Sequence, residues 1–514
     1  MALLRSAATV AGYTMLSRVL GFVRDVLIAA VLGAGDVADA FFVAFRLPNL
    51  FRRLAAEGAF AAAFVPLFSR HLETDGRAAA RAFAEQTLAV LLTSLLLFTI
   101  LAEIAMPWLM HVIAFGFVEE AGKFDLAVQF ARLSFPYLLF MALVALLGGV
   151  LNSLYRFAAA AAAPVVLNVV LITALLGFAD AGATPGHALA WGVAAAGAGQ
   201  FVWLVVACHR AGMRLRLPRP RLTPNIRRLM RLMAPLGLTA GVLQINLLVG
   251  TVIATLQDGA VSYLYYADRV YQLPLGVVGI AIGTALLPTL SRKLRGGAPR
   301  AALDSQARAL EFSLLLTLPA AAALMVIAGP IVSVLFERGA FGPAAADATA
   351  AALVAFAFGL PAYVLVKVLS PGFFAREDAT TPLRVSVVAV LTNIVLSLAL
   401  FWPLGHVGIA LATALAAWLH AALFWLILKR RGFLEIDERL RSRLPRMAIA
   451  SAVMAAALWL IAWALDAPLA AAIGPRIAAL AALVVAGFAV FAVSAQLIGA
   501  ASLRELGAML RRSE

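Results

Sequence analysis

The chain has 514 residues, of which 64% are hydrophobic and 13% are charged. Its 41 lysines and arginines outnumber its 26 acidic residues, which gives a formal net charge of +15. Because soluble globular proteins carry roughly 25% charged residues, this composition excludes that class and indicates a polytopic membrane protein.

Apolar runs of roughly 20 residues follow one another along the chain, and each is long enough to cross a bilayer as a helix. They predict an all-α membrane protein with about fourteen transmembrane helices. The predicted spans cover 8–32, 37–68, 84–110, 124–154, 160–180, 187–209, 229–256, 260–291, 308–336, 344–374, 383–402, 406–429, 446–466 and 474–500.

Positively charged residues concentrate in alternate loops. They are Arg210, Arg214, Arg216, Arg219, Arg221, Arg227 and Arg228 after span six, Arg292, Lys293, Arg295 and Arg300 after span eight, and Lys429, Arg430, Arg431, Arg439, Arg441 and Arg443 after span twelve. The positive-inside rule places such loops in the cytoplasm, so both termini are expected to be cytoplasmic. We therefore expect a multi-pass protein of the cell inner (cytoplasmic) membrane. Since orientation accounts for the charge, no nucleic-acid partner is expected.

The sequence contains a weak internal repeat. The ending Pro66-x-x-Ser69-Arg70 of span two recurs 222 residues later as Pro288-x-x-Ser291-Arg292 in span eight. Two copies of an even number of spans share one orientation, which is a transporter architecture with the site between the halves. The repeat predicts an N-terminal lobe at 1–213 (spans 1–6), a C-terminal lobe at 214–430 (spans 7–12), and two additional spans, 13 and 14, with a cytoplasmic tail at 431–514.

Span one carries a polar stripe that includes Ser17, Arg18, Arg24 and Asp25. The spacing places these residues on one face of a helix. Since each charge inside a span costs about 2.5–3.5 kcal/mol on insertion scales, the face should meet a cavity or another helix. Neutralisation of an arginine by an acid from span two is a structural alternative, and it is compatible with a cavity.

Span two carries further polar residues on either side of Pro48. They are Asp39, Arg46, Asn49, Arg52, Arg53 and Glu57. Pro48 removes a backbone hydrogen bond and can kink the helix. Arg52 and Arg53 cannot point the same way, so we expect one to line a cavity and the other to reach the interface.

Span eight contributes Asp268 and Arg269 among tyrosines, and span ten contributes Lys367, for which snorkelling or pairing is an equally good explanation. Arginines of spans one, two and eight are thus predicted to converge between the two halves. Arginine stays charged and binds phosphate groups bidentately. A cationic cavity in a transporter predicts an anionic substrate, and diphosphate is a natural match.

Several signatures of catalysis are absent from the sequence. It contains no G-x-x-x-x-G-K-[ST] phosphate loop and no H-E-x-x-H zinc motif, and its single cysteine, Cys208, excludes a metal site built from several cysteines. We therefore expect no enzyme activity, no metal and no cofactor.

Three stretches of the sequence resemble the MurJ (MviN) family of lipid II flippases. They are ADAFFVAFRLPNLFRR at 38–53 with AEGAF at 56–60, YYADR at 265–269, and KVLSPGFFARED at 367–378. The resemblance covers essentially the whole chain. It implies the fold of the multidrug/oligosaccharidyl-lipid/polysaccharide exporter superfamily and a central cavity that opens alternately to the two sides of the membrane.

The resemblance also implies a substrate and a site. The substrate would be lipid II, a polyprenyl-diphosphate-linked disaccharide-pentapeptide, with membrane lipids as the other partners and a monomer as the working unit. Required family arginines match Arg18, Arg24, Arg52 and Arg269, and a required acid matches Asp39. The complete predicted substrate-binding set is Arg18, Arg24, Arg52, Arg269, Asp39, Ser17, Asp25, Asn49 and Glu57.

Other family features are only partly present in this chain. The spans 13–14 would form a groove for the polyprenyl tail. Some relatives carry an acid where this chain has Gln272, so the role of that acid does not transfer. Sodium coupling is proposed for some members, and Asn246, Thr392 and Asn393 could contribute to a cation site here.

Three alternatives remain open at this point. A multidrug-type exporter of cationic compounds should line its cavity with carboxylates, whereas arginines dominate here. A flippase for another lipid-linked saccharide would differ only in its headgroup contacts. A membrane-embedded glycosyltransferase would carry an acidic metal-binding cluster near a loop, and none stands out.

Overall fold

A computed structural model describes residues 2–52, 60–180 and 182–500 of the chain. Within these ranges the regular structure is helical, with one 3₁₀ turn at Phe115–Phe117 and no strand. The all-α fold class predicted from the apolar runs is therefore confirmed for the part of the chain that is described.

The helices follow one another with short connections. In the first half they are α1 (Ala2–Leu32), α2 (Asp36–Arg52), α3 (Phe60–Thr74), α4 (Gly76–Ile113), α5 (Ala121–Ser134), α6 (Tyr137–Ser153), α7 (Phe157–Phe178) and α8 (Pro185–Arg210). Then come α9 (Pro224–Ala254), α10 (Ala260–Arg295), α11 (Pro299–Val326), α12 (Ala328–Phe336), α13 (Pro343–Phe374), α14 (Thr380–Leu404), α15 (His406–Arg430), α16 (Glu438–Ala464), α17 (Asp466–Ala470) and α18 (Ile473–Leu497).

Ten stretches of the described helices are long and apolar enough to cross a membrane. They cover the predicted spans three to six and nine to fourteen. The four remaining predicted spans, 8–32, 37–68, 229–256 and 260–291, correspond to α1, to α2 with α3, to α9 and to α10. These elements include the helices whose charged residues define the candidate site. The full count of fourteen stays a prediction.

The described chain divides into two compact units. The first comprises Met1–Ser262 with Arg338–Phe341, and the second comprises Tyr263–Glu337 with Gly342–Glu514. In the first unit, the ring of Phe64 stacks on those of Phe68 and Phe83, each at 5.6 Å between centroids. In the second, Phe373 packs on Phe424 at 5.1 Å. The lobe boundaries predicted from the sequence stay predictions.

A local backbone feature supports the internal repeat. Tyr155, between α6 and α7, and Glu377, between α13 and α14, are the non-glycine residues with positive φ in the described chain, at 58° and 61°. They lie 222 residues apart, which is the same offset as the repeated Pro-x-x-Ser-Arg ending. The next amide in each turn, of Arg156 and Asp378, donates to the carbonyl oxygen five residues earlier.

An ion-pair network and an apolar cluster attach α16 and α18 to the rest of the second unit. Glu311 on α11 is buried and receives hydrogen bonds from Arg308, Arg439 and Arg443, and Arg308 also pairs with Asp437. The apolar cluster consists of Ile327, Met454, Leu458 and Leu483. The additional helices are therefore anchored both by charge and by packing.

Neutralising Glu311 should loosen this attachment. We expect Glu311→Gln to lower the stability of the protein by about 2 kcal/mol, between the values for exposed and buried pairs, because arginines would lose their anionic partner. The midpoint of thermal unfolding of the purified chain in detergent measures the effect. Glu435→Gln, at an exposed position before α16, is the matched control. Equal midpoints for the two variants would contradict the anchoring role.

Candidate functional site

The polar face of α1 is organised around Arg24. Its guanidinium is buried, and its Nε and Nη2 donate to Asp25 Oδ1 at 3.0 and 2.7 Å. Its Nη1 donates to Asn168 Oδ1 at 2.9 Å, and Asn168 Nδ2 donates to the backbone oxygen of Ser17 at 2.8 Å. These hydrogen bonds fix the plane and the direction of the Arg24 guanidinium.

The rest of the polar stripe is more accessible. Arg18 is exposed on α1, and Ser17 is half-buried beside Asn168. Asn168 belongs to α7, 144 residues from Arg24, and nothing in the sequence marked it as the partner of this arginine. The structure thus brings Ser17, Arg24 and Asp25 of the predicted set into one network.

The predicted residues of span two fall on different parts of the structure. Asn49 is half-buried on α2. Arg52 is the last residue of α2, but its side chain lies outside the described part, and so do Arg53 and Glu57. The predictions for these three residues therefore stay predictions.

Asp39 is fully buried at the start of α2, and its carboxylate caps the N-terminus of α10. Oδ2 accepts from the amide of Gly259 at 2.8 Å, while Oδ1 accepts from the amide of Ser262 at 2.9 Å and from its hydroxyl at 2.6 Å. The first amides of a helix have no partner within that helix and carry partial positive charge, so a carboxylate is well placed there.

Lys123 supplies the positive charge next to Asp39. Its ammonium nitrogen lies 3.4 Å from Asp39, 3.3 Å from Asp36 and 2.7 Å from Asp258, and its side chain is 1% exposed. The hydrogen bond from Lys123 lowers the pKa of the Asp258 carboxyl below its ordinary value. We call Asp36, Asp39, Lys123, Asp258 and Ser262 the Asp39 clasp.

Two hydrogen bonds from backbone amides lie near the same ends of the helices as the Asp39 clasp. The amide of Ala340 donates to the carbonyl oxygen of Ala30, near the end of α1, at 2.8 Å. The amide of Gly116 donates to Thr255 Oγ1 at 3.0 Å. A Cβ at Gly116 would lie 2.1 Å from the Thr255 carbonyl oxygen, so only glycine allows this approach. These hydrogen bonds hold the loops together at the end of the first unit that contains the Asp39 clasp.

Arg46 makes a further link that the sequence did not reveal. Its Nη1 donates to the Thr251 hydroxyl and to the carbonyl oxygen of Leu247 at 3.3 Å. Arg46 therefore joins α2 to α9 inside the first unit, a role that its position beside Pro48 did not predict. The role of Lys123 could have been suspected from the sequence. It is one of the few basic residues in the loops that are otherwise poor in lysine and arginine.

Arg269 belongs to the second unit. It is half-buried on α10, and its guanidinium carbon lies 4.6 Å from the centroid of the Tyr265 ring, a cation–π geometry. One turn further along α10, Gln272 donates to Asp268. Lys367 on α13 packs over Gly279, where a Cβ would lie 2.7 Å from the lysine nitrogen.

Comparison with known proteins gives a consistent result. A family model described as "Lipid II flippase MurJ" matches residues 28–475. A "Probable lipid II flippase MurJ" from Rhizobium meliloti (strain 1021) is 50% identical over 521 residues, which cover 100% of this chain and 96% of the relative. A protein with the same description from Rhizobium tropici is 48% identical, over 88% of this chain and 86% of the relative.

Solved structures are similar in fold. One described as "Lipid II flippase MurJ, inward closed conformation" has a TM-score of 0.78 at 22% identity, over 95% of this chain and 98% of the other. An inward-facing multidrug resistance transporter of the MATE family, in the MOP superfamily, has a TM-score of 0.66 at 13% identity, over 83% of this chain and 98% of the other.

Proposed function

The chain belongs to the lipid II flippase MurJ family, and from this we propose that it carries lipid II from the cytoplasmic to the periplasmic leaflet of the inner membrane. The observation that carries the proposal is the 50% identity to a relative of that description over the whole chain. The protein is a transporter in this account, and it makes and breaks no covalent bond.

The arginines of the predicted set are suited to bind the diphosphate group of the substrate. We infer that Arg18, Arg24, Arg52 and Arg269 hold it, because guanidinium groups bind phosphate oxygens in pairs and stay charged in a cavity. Asp25 and Asn168 support this role of Arg24, since their bonds to it fix the direction of its donors. Ser17 and Asn49 offer further polar contacts to the headgroup.

Asp39 has a different role in our proposal. Its carboxylate oxygens are occupied by Gly259, Ser262 and the nearby Lys123, and the side chain is fully buried. We therefore propose that Asp39 acts by closing one side of the transporter and that it does not contact the substrate in this conformation. Neutralising it would then impair transport through the loss of closure.

We propose that the chain works by alternating access and that the Asp39 clasp belongs to the closed arrangement of one side. The loops at 33–35, 114–120 and 255–259 follow helix ends that the positive-inside rule predicts to be periplasmic. In this proposal the Asp39 clasp is formed while the periplasmic side is closed, and its release accompanies opening of that side. The membrane potential would favour outward movement of an anion by roughly 2.3 kcal/mol per charge per 100 mV.

A coupling cation such as sodium stays a prediction, as do the monomeric state and the cytoplasmic termini.

Removing the charge of the cavity arginines should stop transport. We expect Arg24→Gln to lower the rate of lipid II export at least about tenfold, equivalent to about 1.4 kcal/mol, because a guanidinium that binds the diphosphate is lost. Arg18→Gln and Arg269→Gln should act in the same direction. The measurement is rescue of growth and of periplasmic lipid II in cells depleted of their own flippase, with membrane levels checked by immunoblot.

The control for this series is Arg214→Gln. Arg214 is exposed in the arginine-rich loop after α8, so the variant removes the same charge from outside the proposed cavity. It should rescue as well as the unchanged chain. Full rescue by Arg24→Gln at normal membrane levels would remove Arg24 from the site.

Locking the Asp39 clasp should also stop transport. The carboxylates of Asp36 and Asp258 lie within 4.8 Å of each other, so cysteines at both positions can be bridged by a short bis-methanethiosulfonate. Each thiol displaces a methanesulfinate and forms a disulfide with the reagent, which a reductant can cleave. We expect the bridged Asp36→Cys/Asp258→Cys variant to lose export and to regain it on reduction, because the clasp must open in each cycle. The native Cys208 is buried and should not interfere.

Each single cysteine variant, treated with the same reagent, separates bridging from the loss of a carboxylate. These variants should keep the export rate that they show without the reagent. If the bridged double variant exported lipid II at the rate of the reduced form, opening at the clasp would not be part of the cycle.

A further inference from the structure

A cavity of about 430 Å³ opens at the arginine-rich ends of α1, α6, α7 and α8, apart from the polar face of α1 around Arg24. Ligand pockets span roughly 300–1,000 Å³, so the volume suits a small headgroup. Its polar lining includes Arg156 and Arg210, and its aromatic walls include Tyr13, Tyr155 and Trp203. No acidic residue lines the cavity within the described part of the chain.

The two arginines of this cavity are available to a ligand. Arg156 and Arg210 are both exposed, and neither guanidinium makes a hydrogen bond or ion pair with any residue that the structure describes. A pair of arginines without a neighbouring acid attracts an anion with more than one accepting oxygen, because each guanidinium can donate two parallel bonds. Phosphate esters meet this requirement.

The backbone at the mouth of the cavity is strained. Tyr155 adopts a left-handed conformation, with φ at 58°, which costs a non-glycine residue roughly 1–2 kcal/mol. Hydrogen bonds from the amides of Tyr155 to Asn152 and of Arg156 to Leu151 hold the turn. The turn leaves the Tyr155 ring 77% exposed next to Arg156. Glycine would relieve the strain but would remove this ring from the mouth of the cavity.

The matching turn in the other repeat serves as an internal comparison. There the strained residue is Glu377, and the position of Arg156 is taken by Asp378. Asp378 accepts from Thr381 and pairs with Arg431 at 2.7 Å, and these hydrogen bonds lower its pKa to about 2. In that turn the acid is therefore paired with an arginine, Arg431. In the first repeat the acid is replaced by Arg156, so the same backbone carries an unneutralised positive charge.

The surroundings of the cavity are typical of a membrane interface. Trp203 is exposed, with its indole nitrogen donating to the Ala159 carbonyl oxygen at 3.0 Å, and the apolar side chains of Val202 and Val206 are exposed beside it. Tryptophan and tyrosine favour the headgroup level of a bilayer. Basic pockets between membrane helices on the cytoplasmic side bind anionic lipid headgroups.

We propose that Arg156 and Arg210 form a binding site for the phosphodiester headgroup of an anionic glycerophospholipid, with Tyr13, Tyr155 and Trp203 against its glycerol and upper acyl chains. The residues of this site are not among those proposed to bind lipid II. The proposed orientation of the protein decides only which leaflet the site faces. The bound lipid would tie the ends of α1, α7 and α8 together at the membrane surface.

Native mass spectrometry of the full-length protein in detergent tests this site. The probes are dioleoylphosphatidylglycerol, dioleoylphosphatidylcholine and a polyprenyl diphosphate. We expect phosphatidylglycerol adducts to exceed phosphatidylcholine adducts, and Arg156→Asp to reduce the former at least about fivefold. This variant copies the residue that the second repeat carries in the same turn, so the turn should still form. Arg210→Gln should reduce the adducts independently, and Arg214→Gln should leave them unchanged.

Several outcomes would overturn the proposal. Equal phosphatidylglycerol adducts in Arg156→Asp, Arg210→Gln and the unchanged chain would do so. Competition by millimolar inorganic phosphate would assign the cavity to a free anion. Loss of polyprenyl diphosphate adducts alone would assign it to the transported lipid. Because binding is measured without transport, failure here leaves the flippase proposal standing, and failure of lipid II export leaves this site standing.

Discussion

A charge inside a membrane protein must be matched close by, because a low-dielectric medium makes an isolated charge expensive. This constraint organises the buried charges of the first unit. Arg24 is matched by Asp25 and fixed by Asn168. Asp39 is matched by Lys123 and by the amides at the start of α10. The charged side chains that could have destabilised the helices instead determine which helices meet and where.

The same constraint suggests how such a protein can switch. A fully buried carboxylate that caps a helix can be released only if another set of donors or water replaces that helix. If the Asp39 clasp opens during transport, as we propose, this requirement favours two discrete arrangements over a gradual change. In our proposal, a diphosphate bound by the arginines changes the charge near the clasp, and this change of charge favours release of the clasp. In this proposal the arginines bind the substrate, and the acids around Lys123 hold one side closed.

Much of the fold and part of the site could be predicted from the sequence, because helical spacing is a local property. The apolar runs predicted the helices, and the spacing of Ser17, Arg24 and Asp25 predicted their shared face. The partners could not be predicted, since Asn168 is distant in sequence and its amide resembles that of many buried polar residues. Asp39 was grouped with the arginines through the family resemblance, yet its contacts depend on the start of α10, which only the tertiary structure brings to it.

In our proposal this chain alone moves lipid II between leaflets. The most direct test is a leaflet assay on proteoliposomes that contain the purified full-length protein and lipid II labelled on its headgroup, with an inside-negative or inside-positive potential imposed. We expect labelled lipid II to become accessible to an external quencher faster than in protein-free liposomes, at a rate that depends on the sign of the potential. Accessibility no faster than in protein-free liposomes, for protein that is folded and inserted, would contradict it.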